Sequence, residues 1–148
     1  VLSGALLSIE KACKLAEIKG AKRAMQLKVG GAFHSSLMSE AKATLEAALT
    51  NTLIQAPQCA FVPNVTAQVV SNPAEIRSLL AQQLTSSVRW VETLETAKTT
   101  GVAIYLELGP GKIIKGLTRK CQPELEVVSF GGMTDMKNIE SLVLLPQS

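Results

Sequence analysis

Ala103-Ile104-Tyr105-Leu106-Glu107-Leu108 reads as a buried strand, and Gly109-Pro110-Gly111-Lys112 closes it. A helical pattern then opens at Gly111-Lys112 and runs toward Lys120, and Leu125 to Phe130 reads as another strand. Strands alternating with helices favour a parallel sheet in an α/β fold. The rest of the chain keeps this rhythm. Leu37 to Asn51 places Leu37, Ala41, Leu45, Ala48 and Leu49 at helical spacing. Pro57 breaks that pattern, and Cys59 to Val62 reads as a short strand. Ser71-Asn72-Pro73 is a helix-start signal for Ala74 to Leu84. Trp90 to Thr99 is a further helix stopped at Gly101, and Met133 to Leu144 a final one. At the beginning, Val1-Leu2-Ser3-Gly4 reads as a strand end and Leu6 to Lys19 as a helix, with Gly20 as its C-cap. Ala24 to Val29 alternates as a strand and ends in Gly30-Gly31. No internal repeat or low-complexity tract interrupts this order.

The 148 residues suffice for one compact domain with a core. Apolar residues make up 47% and aromatic residues only 3%, so Leu, Val, Ile and Ala must do the packing. A net charge of +3 is too small to argue for nucleic acid. The positive charge is local, however. Lys11, Lys14, Lys19, Lys22, Arg23 and Lys28 crowd the first thirty residues and form either a solvated helix face or a docking face for an acidic partner. Cys13, Cys59 and Cys121 are widely spaced and contain no Cys-x-x-Cys pair. That argues against a disulfide scaffold or zinc site and suits a reducing compartment. No apolar run approaches the roughly 20 residues needed to span a bilayer. Asn64-Val65-Thr66 matches a glycosylation sequon and is read as chance.

His34 is the one histidine, in Gly31-Ala32-Phe33-His34-Ser35-Ser36-Leu37-Met38. A single histidine cannot build a polyhistidine metal site. It can act as a general base, because imidazole exchanges protons near neutral pH. The plainer reading is a surface or helix-cap histidine.

Gly-Ala-Phe-His followed by Ser-Leu-Met resembles the catalytic-histidine segment of malonyl-CoA:acyl carrier protein transacylases. Three further segments are similar to the same family in the same order: Val62 to Ala67, Gln83 to Trp90, and Glu107 to Lys112. The resemblance spans about Val1 to Cys121. It implies the C-terminal part of an α/β-hydrolase-like, parallel-sheet large subdomain over residues 31–148. Residues 1–30 would then be the last strand–helix–strand of a ferredoxin-like small subdomain. The implied reaction moves a malonyl group from coenzyme A to the phosphopantetheine thiol of acyl carrier protein, in fatty acid biosynthesis. It needs no metal or cofactor beyond these substrates. The implied setting is bacterial cytoplasm, or the plastid or mitochondrial matrix of a eukaryote.

In the resembled mechanism a serine attacks the thioester while a histidine takes its proton, and His34 matches that histidine. The acceptor that orients the ring is a backbone carbonyl, matching Gln83. Phe33 matches a position where Phe-His accompanies malonyl use and Ser-His accompanies methylmalonyl, since a bulky ring leaves less room for an α-methyl branch. The Gly109 to Lys112 loop could receive an anion at a helix N-terminus, but in the family it looks structural. Asn64 reads as a loop brace. Pro63 and Ser87 depart from the family, which usually has Ser or Asn at the first position and Pro at the second. Family members carry their nucleophile in a Gly-His-Ser-Leu-Gly elbow upstream of these segments, together with a malonyl-gripping arginine. No Gly-x-Ser-x-Gly occurs here. The chain therefore reads as a C-terminal half, expected to be inactive alone. Two rivals stand beside this reading: a non-catalytic module that binds acyl carrier protein through its basic segment, and an unrelated α/β domain holding a small ligand near Gly109.

Overall fold

A computed structural model of the chain describes residues 1–137 and residue 139. In order, the elements are helix α1 (Leu6–Ile18), helix α2 (Ser39–Thr50), helix α3 (Pro73–Gln82), helix α4 (Trp90–Thr99), strand β1 (Ile104–Leu108), helix α5 (Ile113–Cys121) and strand β2 (Glu126–Phe130). Short 3₁₀ turns cover Ser36–Met38 and Met133–Asp135. The chain divides into two compact units, Val1–Thr93 and Leu94–Ser148.

In the first unit, α3 is fixed from both directions. The Asn72 side chain accepts from the N–H groups of Ala74 (2.8 Å) and Glu75 (3.2 Å), and Pro73 occupies the first helical position, where no donor is needed. Ile76 and Leu79, three positions apart, then face the same way and are buried with Val70 against Ile54, Phe61 and Val65. This cluster anchors the helix, so its C-terminal end at Gln83 is held in place. The predicted Cys59 to Val62 strand reduces to one antiparallel bridge between Phe61 and Val70.

Helix α1 forms where its spacing predicts it, but none of its residues is buried. The predicted strands on either side, Val1 to Gly4 and Ala24 to Val29, are not strands among the described residues. A strand requires a ladder, and among the described residues the backbone of the second segment makes only a local bond, from Val29 N–H to Leu27 C=O.

In the second unit, β1 and β2 pair in parallel, in register from Ile104 opposite Glu126 to Leu108 opposite Phe130. With α5 between them they form the expected βαβ crossover. Strand β1 was expected to be buried, and that expectation needs correction. Its buried residue is the charged Glu107, while Leu106 is 46% and Leu108 73% exposed. Successive side chains alternate across a strand. Glu107 bonds to α5, and the opposite face, with Leu106 and Leu108, stays half open. At the predicted Met133 to Leu144 helix, Met133–Asp135 forms a 3₁₀ turn, and half of the predicted span lies outside the described residues.

Candidate active site around His34

His34 occupies a left-handed backbone conformation, with φ 63°. For an L residue this costs about 1–2 kcal/mol, so something must hold it there. Two bonds to one dipeptide contribute to doing so. The His34 N–H donates to the Leu84 carbonyl at 3.0 Å, and its ring Nδ1 lies 3.0 Å from the Gln83 carbonyl oxygen. Both acceptors follow directly on α3. The last carbonyls of a helix lack partners within it, so its end offers free acceptors.

The Gln83 contact fixes the chemistry of the ring. A carbonyl oxygen can only accept, so the 3.0 Å bond requires a proton on Nδ1. In the neutral ring Nε2 then carries the lone pair. The Gln83 side-chain amide is also 3.4 Å from Nδ1 and donates to the Ser86 carbonyl at 3.3 Å. The shorter carbonyl contact decides the tautomer. His34 is exposed, and Nε2 has no hydrogen-bond partner among the described residues. The ring is thus oriented on one side and open on the other.

The residues after His34 form a tight hydrogen-bonded turn. Ser35 Oγ donates to the Ala32 carbonyl at 2.6 Å and accepts from Leu37 N–H at 3.3 Å. Phe33 is 45% exposed. Its ring lies beside Gly31, where an added methyl would sit 3.4 Å from Phe33 Cε2 and 3.6 Å from Met38 Sδ. The structure therefore brings together His34 and Gln83, which are 49 positions apart, while the Phe33 ring, adjacent to His34 in the chain, lies against Gly31. Sequence reasoning missed the Leu84 carbonyl and the Ser35 hydroxyl. The expected end of α3 near Gln83 was the available signal for the first, since unpaired carbonyls gather at helix ends.

Asn64 takes part in bracing its loop through its backbone. Its carbonyl accepts from Arg89 N–H at 2.9 Å, and the Arg89 guanidinium reaches the Thr66 carbonyl at 3.2 Å. Within this loop Ala67 is fully buried at φ 56°, with its N–H on the Pro63 carbonyl at 2.9 Å.

The Gly109 to Lys112 loop does gather an anion, and the anion is the chain's own. Gly109 at φ 131° and Gly111 at φ 99° make the turn that only glycine adopts freely. The Glu107 carboxylate then accepts from the N–H groups of Ile114 (2.8 Å) and Lys115 (3.1 Å), and from the Ser129 hydroxyl (3.0 Å). Burial raises the Glu107 pKa, but the N–H groups of Ile114 and Lys115, the Ser129 hydroxyl and the Ile113 N–H outweigh it. The carboxyl ends up below its ordinary value. The loop is structural on this geometry. A cavity of about 290 Å³ beside it includes Lys112, Lys115, Ser129 and Asp135 in its lining.

Among the described residues, no cluster of three or more His, Cys, Asp or Glu side chains could hold a metal. No described helix is long and apolar enough to cross a membrane.

The chain is 35% identical over 144 residues to the malonyl CoA-acyl carrier protein transacylase of Haemophilus influenzae, covering 97% of this chain and 46% of that one. It is a homologue of the malonyl-CoA:acyl carrier protein transacylases. Among solved structures, the acyl-carrier-protein S-malonyltransferase of Burkholderia pseudomallei superposes with a TM-score of 0.84 at 38% identity, over 93% of this chain and 45% of that chain. A malonyl-transacylase solved with its type II PKS acyl-carrier protein superposes with a TM-score of 0.85 at 32% identity, over 91% and 44% of the two chains. No family model matches the chain. The fold is the α/β acyltransferase fold, and the chain spans about half the length of the curated transacylases it matches.

Proposed function

We propose that this chain supplies the general-base half of a malonyl-CoA:acyl carrier protein transacylase, with His34 as the base. The observation that carries the reading is the His34 ring itself: Nδ1 bound to the Gln83 carbonyl at 3.0 Å, in an exposed residue whose Nε2 is unpartnered. A serine from a further polypeptide segment attacks the malonyl thioester carbonyl, and Nε2 accepts the serine proton. The tetrahedral intermediate collapses by breaking the C–S bond. The departing coenzyme A thiolate takes the proton back from the imidazolium, leaving a malonyl-serine ester. The phosphopantetheine thiol of the carrier next gives its proton to Nε2 and attacks that ester. The serine oxygen leaves and is reprotonated by the ring. Gln83 holds the tautomer throughout by its backbone oxygen. Phe33 narrows the site against α-branched acyl groups.

Several surfaces support a further segment and a carrier partner. The side chains of Leu6, Leu7, Leu15 and Ile18 on α1, and of Leu106 and Leu108 on β1, are exposed, as in a fold whose remaining part covers them. We assign residues 1–30 to the closing portion of a ferredoxin-like subdomain, whose two flanking segments would gain their strand ladders only in that whole. Lys11, Lys14, Lys19, Lys22, Arg23 and Lys28 are all exposed and offer a cationic face to an acidic carrier. The natural setting is fatty acid biosynthesis, in bacterial cytoplasm or in a plastid or mitochondrial matrix.

The test joins the chain to the unmatched portion of the Haemophilus influenzae relative and follows malonyl transfer to holo-acyl carrier protein. Transfer is expected, with His34→Ala lowering it about 10²–10⁴-fold, the range for losing a positioned general base. A His34→Ala rate within a few-fold of the parent refutes the role. The basic face favours one second reading, a non-catalytic carrier-binding module. That reading requires salt-sensitive carrier binding with no transfer in the joined protein.

A further inference from the structure

Ser35 is adjacent to His34 in the chain, yet its hydroxyl is fully committed elsewhere. Its proton goes to the Ala32 carbonyl at 2.6 Å, and its oxygen accepts from Leu37 N–H at 3.3 Å. A hydroxyl donating to one carbonyl and accepting from one amide is poorly placed to serve as a nucleophile. What it does instead is bridge the residues before His34 to the residues after it. His34, between them, holds the left-handed conformation at φ 63°. The Ala32 arm of the bridge is half-buried, so water competes with it less than with the exposed Leu37 arm.

We infer that Ser35 is a positioning residue for the transfer proposed above, a clamp that keeps His34 left-handed so that its Nδ1–H stays on the Gln83 carbonyl. The inference rests on that proposed function for its consequence, but its physical content lies wholly within this chain. Released from the clamp, residues 31–38 relax toward right-handed or extended backbone, which L residues prefer. The ring then leaves Gln83. A histidine side chain without such a partner prefers its proton on Nε2, and a proton there blocks the base.

Because His34 is the only histidine, ¹⁵N-histidine labelling reports one ring without background. The chain itself is measured by ¹⁵N–¹H correlation at a pH where the ring is neutral. The unmodified chain is expected to show the Nδ1–H tautomer. Ser35→Ala should shift the population toward Nε2–H with far-UV circular dichroism unchanged, and Ser35→Thr, which keeps the hydroxyl, should restore it. In the joined enzyme Ser35→Ala is expected to lower kcat about tenfold or more with KM for malonyl-CoA little altered, and Ser35→Thr to recover most of it. Ser35→Ala with an unshifted tautomer overturns the inference, as does an unmodified chain already in the Nε2–H form. Should Ser35→Ala unfold, Ser35→Cys keeps the shape with a weaker donor and is read the same way. A joined enzyme that transfers nothing even unmodified counts against the proposed function, while the tautomer result still decides the role of Ser35.

Discussion

Replacing Asn72 by alanine removes the cap on which α3, and through it the acceptors for His34, depends. Pro73 brings no N–H to the first turn, so the donors left without helical partners are those of Ala74 and Glu75. The Asn72 side chain takes both, at 2.8 and 3.2 Å. Loss of an N-cap side chain costs about 0.5–2 kcal/mol. A cap serving two donors belongs in the middle of that range or above, although its exposure lets water recover part of the loss. About 1.2 kcal/mol is therefore expected. With a urea m-value of about 1.5 kcal/mol/M for a small unit, the midpoint should fall by about 0.8 M. The single tryptophan, Trp90, provides the fluorescence signal for the first unit. The substitution series is more diagnostic than any one variant. Asn72→Asp should leave the midpoint nearly unchanged, because a carboxylate accepts the same two bonds and suits a helix N-terminus. Asn72→Gly should cost only a few tenths of a kcal/mol. If Asn72→Asp loses as much as Asn72→Ala, or if Asn72→Ala loses nothing, the side-chain bonds do not hold α3 and the reasoning fails.

Two further outcomes follow from the geometry. Glu107→Gln should lower Tm at neutral pH, since the Ile114 and Lys115 N–H groups bond to different carboxylate oxygens and the amide nitrogen that replaces one of them cannot accept. The Glu107 pKa in the folded chain lies below its ordinary 4.5, so its contribution is complete above that pH and is lost as pH falls through the lowered value. The Tm gap between parent and variant should therefore close on acidification, and a gap that widens would contradict the assignment. Phe33→Ser in the joined enzyme should raise the kcat/KM ratio of methylmalonyl-CoA to malonyl-CoA. One methyl group sets the limit at about 10–200-fold, and an unchanged ratio would assign Phe33 to packing alone.

How far the sequence could be read depended on the range of the interactions involved. Helix α4 lies where the spacing from Trp90 to Thr99 predicts it, and Ser71-Asn72-Pro73 marks the start of α3 because its capping atoms are within three residues of one another. Ala24 to Val29 has strand-type alternation but no ladder among the described residues, because a strand depends on a neighbour that its own sequence does not specify. Glu107 sits in an apolar run and was read as part of a buried strand. Its burial as a charge became intelligible only with the amides of Ile114 and Lys115 and the Ser129 hydroxyl around it.

The site divides along the same line. The sequence by itself determined the βαβ alternation, the helix caps and the kinship that singles out His34, because periodicity and motifs are written in contiguous residues. Only the tertiary structure decided that His34 adopts φ 63° and that its Nδ1 lies 3.0 Å from the carbonyl of Gln83, a partner 49 positions away that the family resemblance alone had pointed to. A tautomer is set by whichever acceptor folding brings to the ring, and a backbone carbonyl, common to every residue, is marked in the sequence only by the motif around it and never by its own side chain.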